Sequence, residues 1–493
     1  MINLVWLKRD LRLHDHRPLV EALKGGHPCI LLYVFEPQYW QLEDTSARQW
    51  QFIVESLQAL NAELSKQNRK LWIAHGRMWD VLDSLHQSIG IRALYSHQET
   101  GNAWTYDRDK GVGQWCKTHD IPWHEFAQFG VKRGPIDRDD WDAIWQDQMS
   151  EKVLPCPSLD KLIPPPAEYA DIPKRYPGND NAFTKQAQKG GRQTGLRVLQ
   201  SFFDSRHRQY LSSVSSVHTG PKNSSRLSPY LAYGCLSMKE VVQSCRHQLA
   251  HTSDTRSLAA FKSRLHWHCH FIQKMESEPE YETGPVHRDL AALREDCWDL
   301  QRFDAWRDGI TGIPFIDACM RMLIHSGWLP FRMRAMLTAF SSYHLWLPWQ
   351  KPAAHLAKLF VDYEPGIHYP QIQMQSGTTG INPFRIYNPV KQGLRFDADG
   401  RFIRRWLPEL ASVEDAYIHE PWLSTRLRQD CYPLPVVMPE QAAREARDRM
   451  HRFYQRHVSQ AETQRIVQQH ASRRYRKKTP RPAMPDNQQM RLF

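Results

Sequence analysis

The apolar residues of this 493-residue chain change their period part-way along, and that change limits the folds open to it. The first 130 residues carry short β-rich runs, INLVWL, CILLYVF, LWIAHG and IRALYSH, with helical spacing over 48–67 and 105–119. Strands alternating with helices predict an α/β domain with a parallel, doubly wound sheet and helices on both faces. No GxGxxG follows the first run, so a dinucleotide fingerprint is missing. From 130 to 181 eight prolines, from Pro135 to Pro177, interrupt every pattern. Beyond about 190 the apolar spacing is helical, as in LAAFKSRLHWHCHFIQKM and MRAMLTAFSSYHLWL, with almost no strand pattern. The expected organisation is an α/β domain over 1–130, a proline-rich connector over 131–185, an all-α domain over 186–460 and a basic flexible tail over 461–493.

Composition narrows the class. A hydrophobic fraction of 41% and a mean hydropathy of −0.63 describe a soluble globular chain. No uncharged apolar run reaches the ~18 residues of a membrane span, and MINLVWLKRD is too short and too soon charged for a secretory signal. A cytoplasmic protein that begins near Met1 is expected. Nine scattered cysteines form no CxxC pair, which argues against a disulfide scaffold or a four-cysteine cluster. Eighteen tryptophans suit buried interfaces, stacking platforms or redox relays, with bulky core filling as the plainer explanation. The net charge is +12, and the segment from Arg465 to the end holds eight Lys or Arg against Asp486 alone. Its run Arg473, Arg474, Tyr475, Arg476, Lys477, Lys478 can attract phosphates without reading sequence, or simply keep the chain soluble.

Two local constellations invite chemistry. Ser224, Ser225, Arg226, Leu227 and Ser228 put three hydroxyls and a guanidinium before a helix-like stretch, an arrangement that grips phosphate oxygens and also serves as an ordinary turn and cap. In HWHCH, His266 and His270 would share a helix face and could ligate a metal with a third partner. Without an HExxH or a carboxylate partner, packing or a cofactor-facing role is the better reading, and no metal is expected.

Together these segments resemble the photolyase/cryptochrome family of flavoproteins, in a divergent branch. WLKRDLRLHD is similar to the family's WFRRDLRL, SSRLSPYLAYGCLS to its TSRLSPYLxxGxxS, and WRDGITGIPFIDACMRML to its WxxGxTGxPxVDAxMRxL; PFRIYNPVKQGLRFDADGRFIRRWLPEL is similar to its closing segment. The resemblance spans residues 1 to about 425. It implies that the all-α domain binds FAD, folded into a U shape, and that the α/β domain is where the family carries an antenna chromophore: a folate, a deazaflavin or a lumazine. The segments HQETG (97–101) and RDKGVGQWCK (108–117) occupy that region. By position, Tyr210, Ser224, Ser225, Arg226, Leu227, Ser228 and Phe261 would contact FAD. Arg334 and Asp362 would pair beside its ring, Glu364 stands where Asp is usual, and His368 would face the reactive ring nitrogen. Trp306 and Trp349 match two members of the family's electron relay, and Ile372 takes the inner place. Trp346, Tyr369 and Tyr343 are candidate detours.

Other departures concern the substrate. Arg264 replaces a glutamate that touches the damaged base, Phe331 replaces an asparagine, and Met374 replaces a second tryptophan. Trp267 would stack on a flipped base, with Arg264 and Arg332 on flanking phosphates and Phe331 and Met374 lining an apolar pocket. The resemblance thus implies light-driven repair of pyrimidine dimers in UV-damaged DNA by a monomer. A blue-light receptor without repair and a flavoprotein with structural FAD are the rivals. The last five residues include Gln489, Leu492 and Phe493 and resemble the QxxLF peptide that docks on the bacterial sliding DNA clamp.

Overall fold

The computed structural model describes residues 1–137, 139–178, 187–424 and 431–470. Five parallel strands, β1 (Ile2–Leu7), β2 (Cys29–Phe35), β3 (Trp72–His75), β4 (Ile91–His97) and β5 (Trp123–Phe126), form one sheet in the order β3-β2-β1-β4-β5. Between them run α1 (Arg17–Lys24), α2 (Ala47–Ser65), α3 (Met78–Ile89) and α4 (Ala103–Thr118). Every residue of β1 is buried, and the strand's two-residue period sends Val5 and Leu7 to one core and Ile2, Leu4 and Trp6 to the other. The sheet is therefore covered on both faces, as the continuous apolar runs predict.

The expected connector is not structureless. It contains α5 (Trp141–Ser150), whose Trp141 and Trp145 are fully buried, and it returns to the sheet where Leu162 bridges Cys29 of β2. The helical part opens with α6 (Arg192–Asp204) and the short helices α7 (Tyr210–Ser213), α8 (Gly220–Asn223) and α9 (Ser228–Ala232). Next come α10 (Met238–His251), α11 (Thr255–Ser277), α12 (Leu300–Asp308), α13 (Pro314–Ser326), α14 (Phe331–Ala339), α15 (Gln350–Leu359) and α16 (Pro365–Ser376). A capping box starts α10: the Ser237 hydroxyl accepts from Glu240 N at 3.0 Å, and Ser237 N donates to the Glu240 carboxylate at 2.6 Å. The described residues finish with α17 (Pro389–Phe396), α18 (Arg401–Trp406), α19 (Pro439–His457) and α20 (Gln460–His470). The last of these corrects the expected tail. Residues 461–470 are helical, Ile466 is buried beside Tyr281 and Val286, and Arg465 pairs with Glu278 at 3.0 Å. The basic run from Arg473 and the terminal QMRLF lie outside the described residues.

The two halves share one hydrophobic cluster, from Val5 and Leu57 to Leu258 and Phe261. Polar clamps add to it. Arg48 of α2 donates to the carbonyls of Leu323, Ile324 and Leu359, which end α13 and α15. Arg9, just after β1, donates to Ala232 O at 2.9 Å and to Tyr363 O at 2.5 Å. Gly234, at φ +62°, lets the chain pass so close that a Cβ there would sit 2.2 Å from Arg9 O. Among the described residues no helix is long and apolar enough to cross a membrane.

Candidate functional site

A cavity of about 280 Å³ opens in the helical half, between the loop before α9, the start of α14 and the segment from Asp362 into α16. The serine run forms one wall. Arg206 holds that loop, donating to Ser224 O, to Ser225 O at 3.4 Å and to Val198 O at 2.6 Å. Arg226 takes φ +58°, lies 4.0 Å over the Trp328 ring and, because it is buried, has its pKa pushed down to about 10. On the opposite wall Arg334 grips Asp362 through two parallel bonds of 3.0 Å, donates through Nε to Leu329 O at 2.8 Å and lies 4.1 Å over Phe360. Burial works to raise the Asp362 pKa, but Arg334, the Ser228 hydroxyl and Arg226 hold it below the usual range. The pair that sequence spacing could not supply is thus formed.

His368 Nε2 lies 2.9 Å from Ala353 O, so that nitrogen carries the proton; burial pushes the ring down to about 4, and Nδ1 is left as an acceptor. Burial raises Glu364 to about 7, against the attraction of Arg9 at 3.5 Å. His268, Trp328, Tyr363, Gln371 and Gln375 also line the cavity, none of them singled out from sequence alone. The HWHCH run was the available signal: His268 faces the cavity, whereas His266 and His270 pack against Trp141, at ring distances of 4.7 and 5.5 Å.

The structure brings Tyr210, Ser224, Ser225, Arg226, Ser228, Phe331, Arg334, Asp362, Glu364, His368 and Ile372 to this one cavity. It does not bring Leu227 or Phe261, expected as cofactor contacts. Both side chains are core residues, and Phe261 packs on Phe202 at 4.8 Å and on Tyr210 at 5.9 Å. Trp267, Arg264, Arg332 and Met374 are likewise outside the lining. Trp267 lies about 100° round α11 from His268 and packs against His270 and Phe271. Arg264 is exposed on the same face as His268, one turn earlier, close enough to act on the Tyr210 hydroxyl. Arg332 is half-buried near Tyr387, and Phe331 is 42% exposed at the cavity rim. Trp306 and Trp349 are buried in the helical core that also holds Ile372.

Residues 3–129 match the sequence profile described as DNA photolyase, and residues 261–452 that of the FAD binding domain of DNA photolyase. This chain belongs to the photolyase/cryptochrome family. It is 28% identical over 478 residues to cryptochrome DASH of Gloeobacter violaceus, covering 88% of this chain and 92% of that one. It is also 28% identical over 469 residues to deoxyribodipyrimidine photo-lyase of Vibrio cholerae, covering 88% and 96%. Among solved structures, a Synechocystis cryptochrome superposes with a TM-score of 0.80 at 25% identity, over 91% of this chain and 98% of that one. A class III photolyase from Agrobacterium tumefaciens shares the fold, with a TM-score of 0.77 at 24% identity over 92% and 98%. The helical half is thus this family's FAD-binding domain, and the cavity lies within it.

A second ligand region can be judged from the sheet. Doubly wound sheets hold ligands outside the strand ends where the winding reverses, here between β1 and β4. That crevice is lined by buried charged side chains. Asp10 Oδ2 meets His97 Nδ1 at 2.7 Å and His16 Nε2 at 2.9 Å; burial works to raise its pKa, and the two histidines bring it well below the usual range. Arg108 reaches Glu99 at 2.5 Å and Glu36 at 3.2 Å with its guanidinium over Trp6, and Lys8 pairs with Asp109 at 2.9 Å. About 10 Å³ remains beside Lys8 and Glu99, room for roughly one water, and about 120 Å³ remains between Arg12, His97 and Phe126. His97, Glu99, Arg108 and Asp109 belong to the two segments expected to border an antenna chromophore.

Proposed function

We propose that this protein is a blue-light-driven, FAD-dependent deoxyribodipyrimidine photolyase that splits UV-induced pyrimidine dimers. The observation that carries the reading is the cavity itself. Its lining includes Ser224 Oγ, His268 Nδ1, Gln371 Oε1 and Gln375 Nε2, buried polar atoms without a hydrogen-bond partner among the described residues, set beside the Arg334–Asp362 pair. Unsatisfied donors and acceptors beside charged groups and apolar walls suit a polar heterocycle with phosphates. Bound FAD would supply light absorption and one-electron donation. Ser224, Ser225, Arg226 and Ser228 would hold its phosphates, and Arg334, kept in place by Asp362, would favour its reduced, negatively charged form. Neutral His368 would offer an acceptor to the ring.

Phe331 at the rim gives a flipped, apolar thymine dimer a surface to pack on. Arg264 and Arg332, both outside the lining, would meet flanking phosphates, and Trp267 and Met374 would contact the damaged strand beyond the rim. The paired histidines that (6-4) photolyases carry after GW are missing, which favours dimers as the lesion. A folate, deazaflavin or lumazine in the α/β half would have to lie against the side chains of Asp10, His97 and Arg108 between β1 and β4, and bound FAD would absorb blue light without it.

Gln489, Leu492 and Phe493 are read as a docking peptide for the sliding clamp on a nucleoid-associated, cytoplasmic monomer; deleting the last five residues should abolish co-elution with the clamp. Repair is tested by illuminating reduced, FAD-loaded protein with dimer-containing oligothymidine and following thymine absorbance. Recovery in the light supports the reading. Dimer and (6-4) substrates both unrepaired beside demonstrably reduced flavin would favour the second reading, a blue-light receptor, for which the aliphatic Ile372 in the electron relay is the specific observation.

A further inference from the structure

A cavity that holds a light-absorbing oxidant needs an electron donor in its wall. Ile372 cannot be that donor, because an aliphatic side chain carries no accessible electron. The buried Trp306 and Trp349 lie outside the lining. Trp346 and Tyr343 face guanidinium groups: Arg294 lies 4.7 Å over Trp346 and 5.2 Å over Tyr343, and Arg449 lies 5.2 Å over Trp346. A cation on the ring face opposes the positive charge that oxidation leaves. Trp328, in the lining, has the same handicap from Arg226 at 4.0 Å. Tyr210 packs among Phe202 and Phe261.

Tyr363 differs. Its side chain lines the cavity, its ring meets the His368 ring edge-on at 5.3 Å, and its hydroxyl donates to Asp44 Oδ2 at 2.5 Å. Asp44 comes from the loop before α2 in the α/β half, is buried, and also accepts from Asn102 Nδ2 at 3.1 Å. Tyr369 is hydrogen-bonded to the Tyr363 hydroxyl and is the next oxidisable group outward. A phenol becomes a strong acid when it loses an electron, so oxidation in a dry core requires a base already in hydrogen-bond reach. A carboxylate at 2.5 Å meets that requirement. The domain interface thereby supplies, from a residue 319 positions away, what the helical half lacks.

We propose that Tyr363, with Asp44 as its proton acceptor, is the immediate electron donor that reduces the flavin in light, in place of the missing inner tryptophan. This rests on the reading that the cavity binds FAD. One electron passes from Tyr363 to a light-excited oxidised flavin, which is the oxidant. The phenol O–H bond breaks, and a new O–H bond forms on Asp44 Oδ2. A neutral tyrosyl radical and a neutral carboxylic acid result. A soluble thiolate then returns an electron to the radical, and Asp44 returns the proton.

The test uses the full-length chain loaded with oxidised FAD. Flash electron paramagnetic resonance of the wild type should show a tyrosyl signal that narrows with ring-deuterated tyrosine and is lost in Tyr363→Phe. Infrared difference spectra should show a protonated-carboxyl band that shifts with ¹³C-aspartate and is missing in Asp44→Asn. Asp44→Asn should also slow photoreduction on the order of a hundredfold or more and remove a solvent deuterium effect present in the wild type. A tryptophanyl signal in the wild type, or wild-type photoreduction in Tyr363→Phe, would overturn the proposal while leaving FAD binding intact. Failure of the chain to retain FAD in equilibrium dialysis would overturn the reading of the cavity, and this proposal with it.

Discussion

Replacing Glu364 by Gln should make the protein more stable at alkaline pH and leave it almost unchanged at acid pH. The side chain is buried, and Arg9 Nη2 is its charged neighbour at 3.5 Å. That guanidinium is already shared with the carbonyls of Ala232 and Tyr363. Burial therefore prevails over Arg9 and over the Gly366 N–H and lifts the carboxyl from 4.5 to about 7. A folded pKa above the unfolded one means that the folded chain keeps a proton which the unfolded chain has released. The stabilising contribution is complete below 4.5 and is lost as the pH rises through about 7. At about 1.4 kcal/mol for each tenfold, that gap is worth about 3 kcal/mol. The amide does not titrate. Urea unfolding of both proteins between about pH 4.5 and 8 should give curves that coincide at the acid end and separate by about 3 kcal/mol in the variant's favour at the alkaline end. A variant less stable than the wild type at the alkaline end would show instead that the Arg9 attraction outweighs burial.

Arg48→Met should lower stability by about 3 kcal/mol or more, because three helix-end carbonyls lose a charged donor in a buried interface; urea unfolding followed by circular dichroism checks it. Asp317→Asn should cost about 2 to 4 kcal/mol, since the carboxylate accepts from Thr311 N, Gly312 N and the hydroxyls of Thr311 and Tyr432, and an amide turns a donor toward some of them. Its thermal midpoint should fall while flavin-free secondary structure at low temperature is kept. Gly234→Ala should express mostly as insoluble protein, because its Cβ would meet Arg9 O and Asp10 Cα from a left-handed backbone; the soluble fraction on expression is the measurement.

Four of the five strands were legible because buried parallel strands are continuous apolar runs. The fifth, Trp123–Phe126, escaped because an edge strand reading WHEF is half-exposed and lacks that signature. The helix in the proline-rich stretch was hidden by the prolines around it, although WDAIW carries the two tryptophans that bury it. In the site, the serine run and the Arg334–Asp362 pair were reachable through motif likeness. Leu227 and Phe261 fall outside the cavity lining because a motif marks a neighbourhood, and the local backbone decides which side chains face the cavity. The Tyr363–Asp44 contact had no sequence signal. Its partners belong to different halves of the chain and meet only because Arg9, Arg48 and the shared apolar cluster dock those halves together.

Light-driven repair in this cavity is best measured as single-turnover repair by chemically reduced, FAD-loaded protein. Prior reduction bypasses Tyr363, so only the cavity and its substrate are examined. Thymine absorbance of dimer-containing oligothymidine should recover in blue light and stay unchanged in the dark. Phe331→Asp, which puts a charge on the exposed rim, should keep its flavin and lose at least about tenfold in rate. No recovery in the light with the flavin reduced, or full activity in Phe331→Asp, would mean that this cavity does not repair dimers.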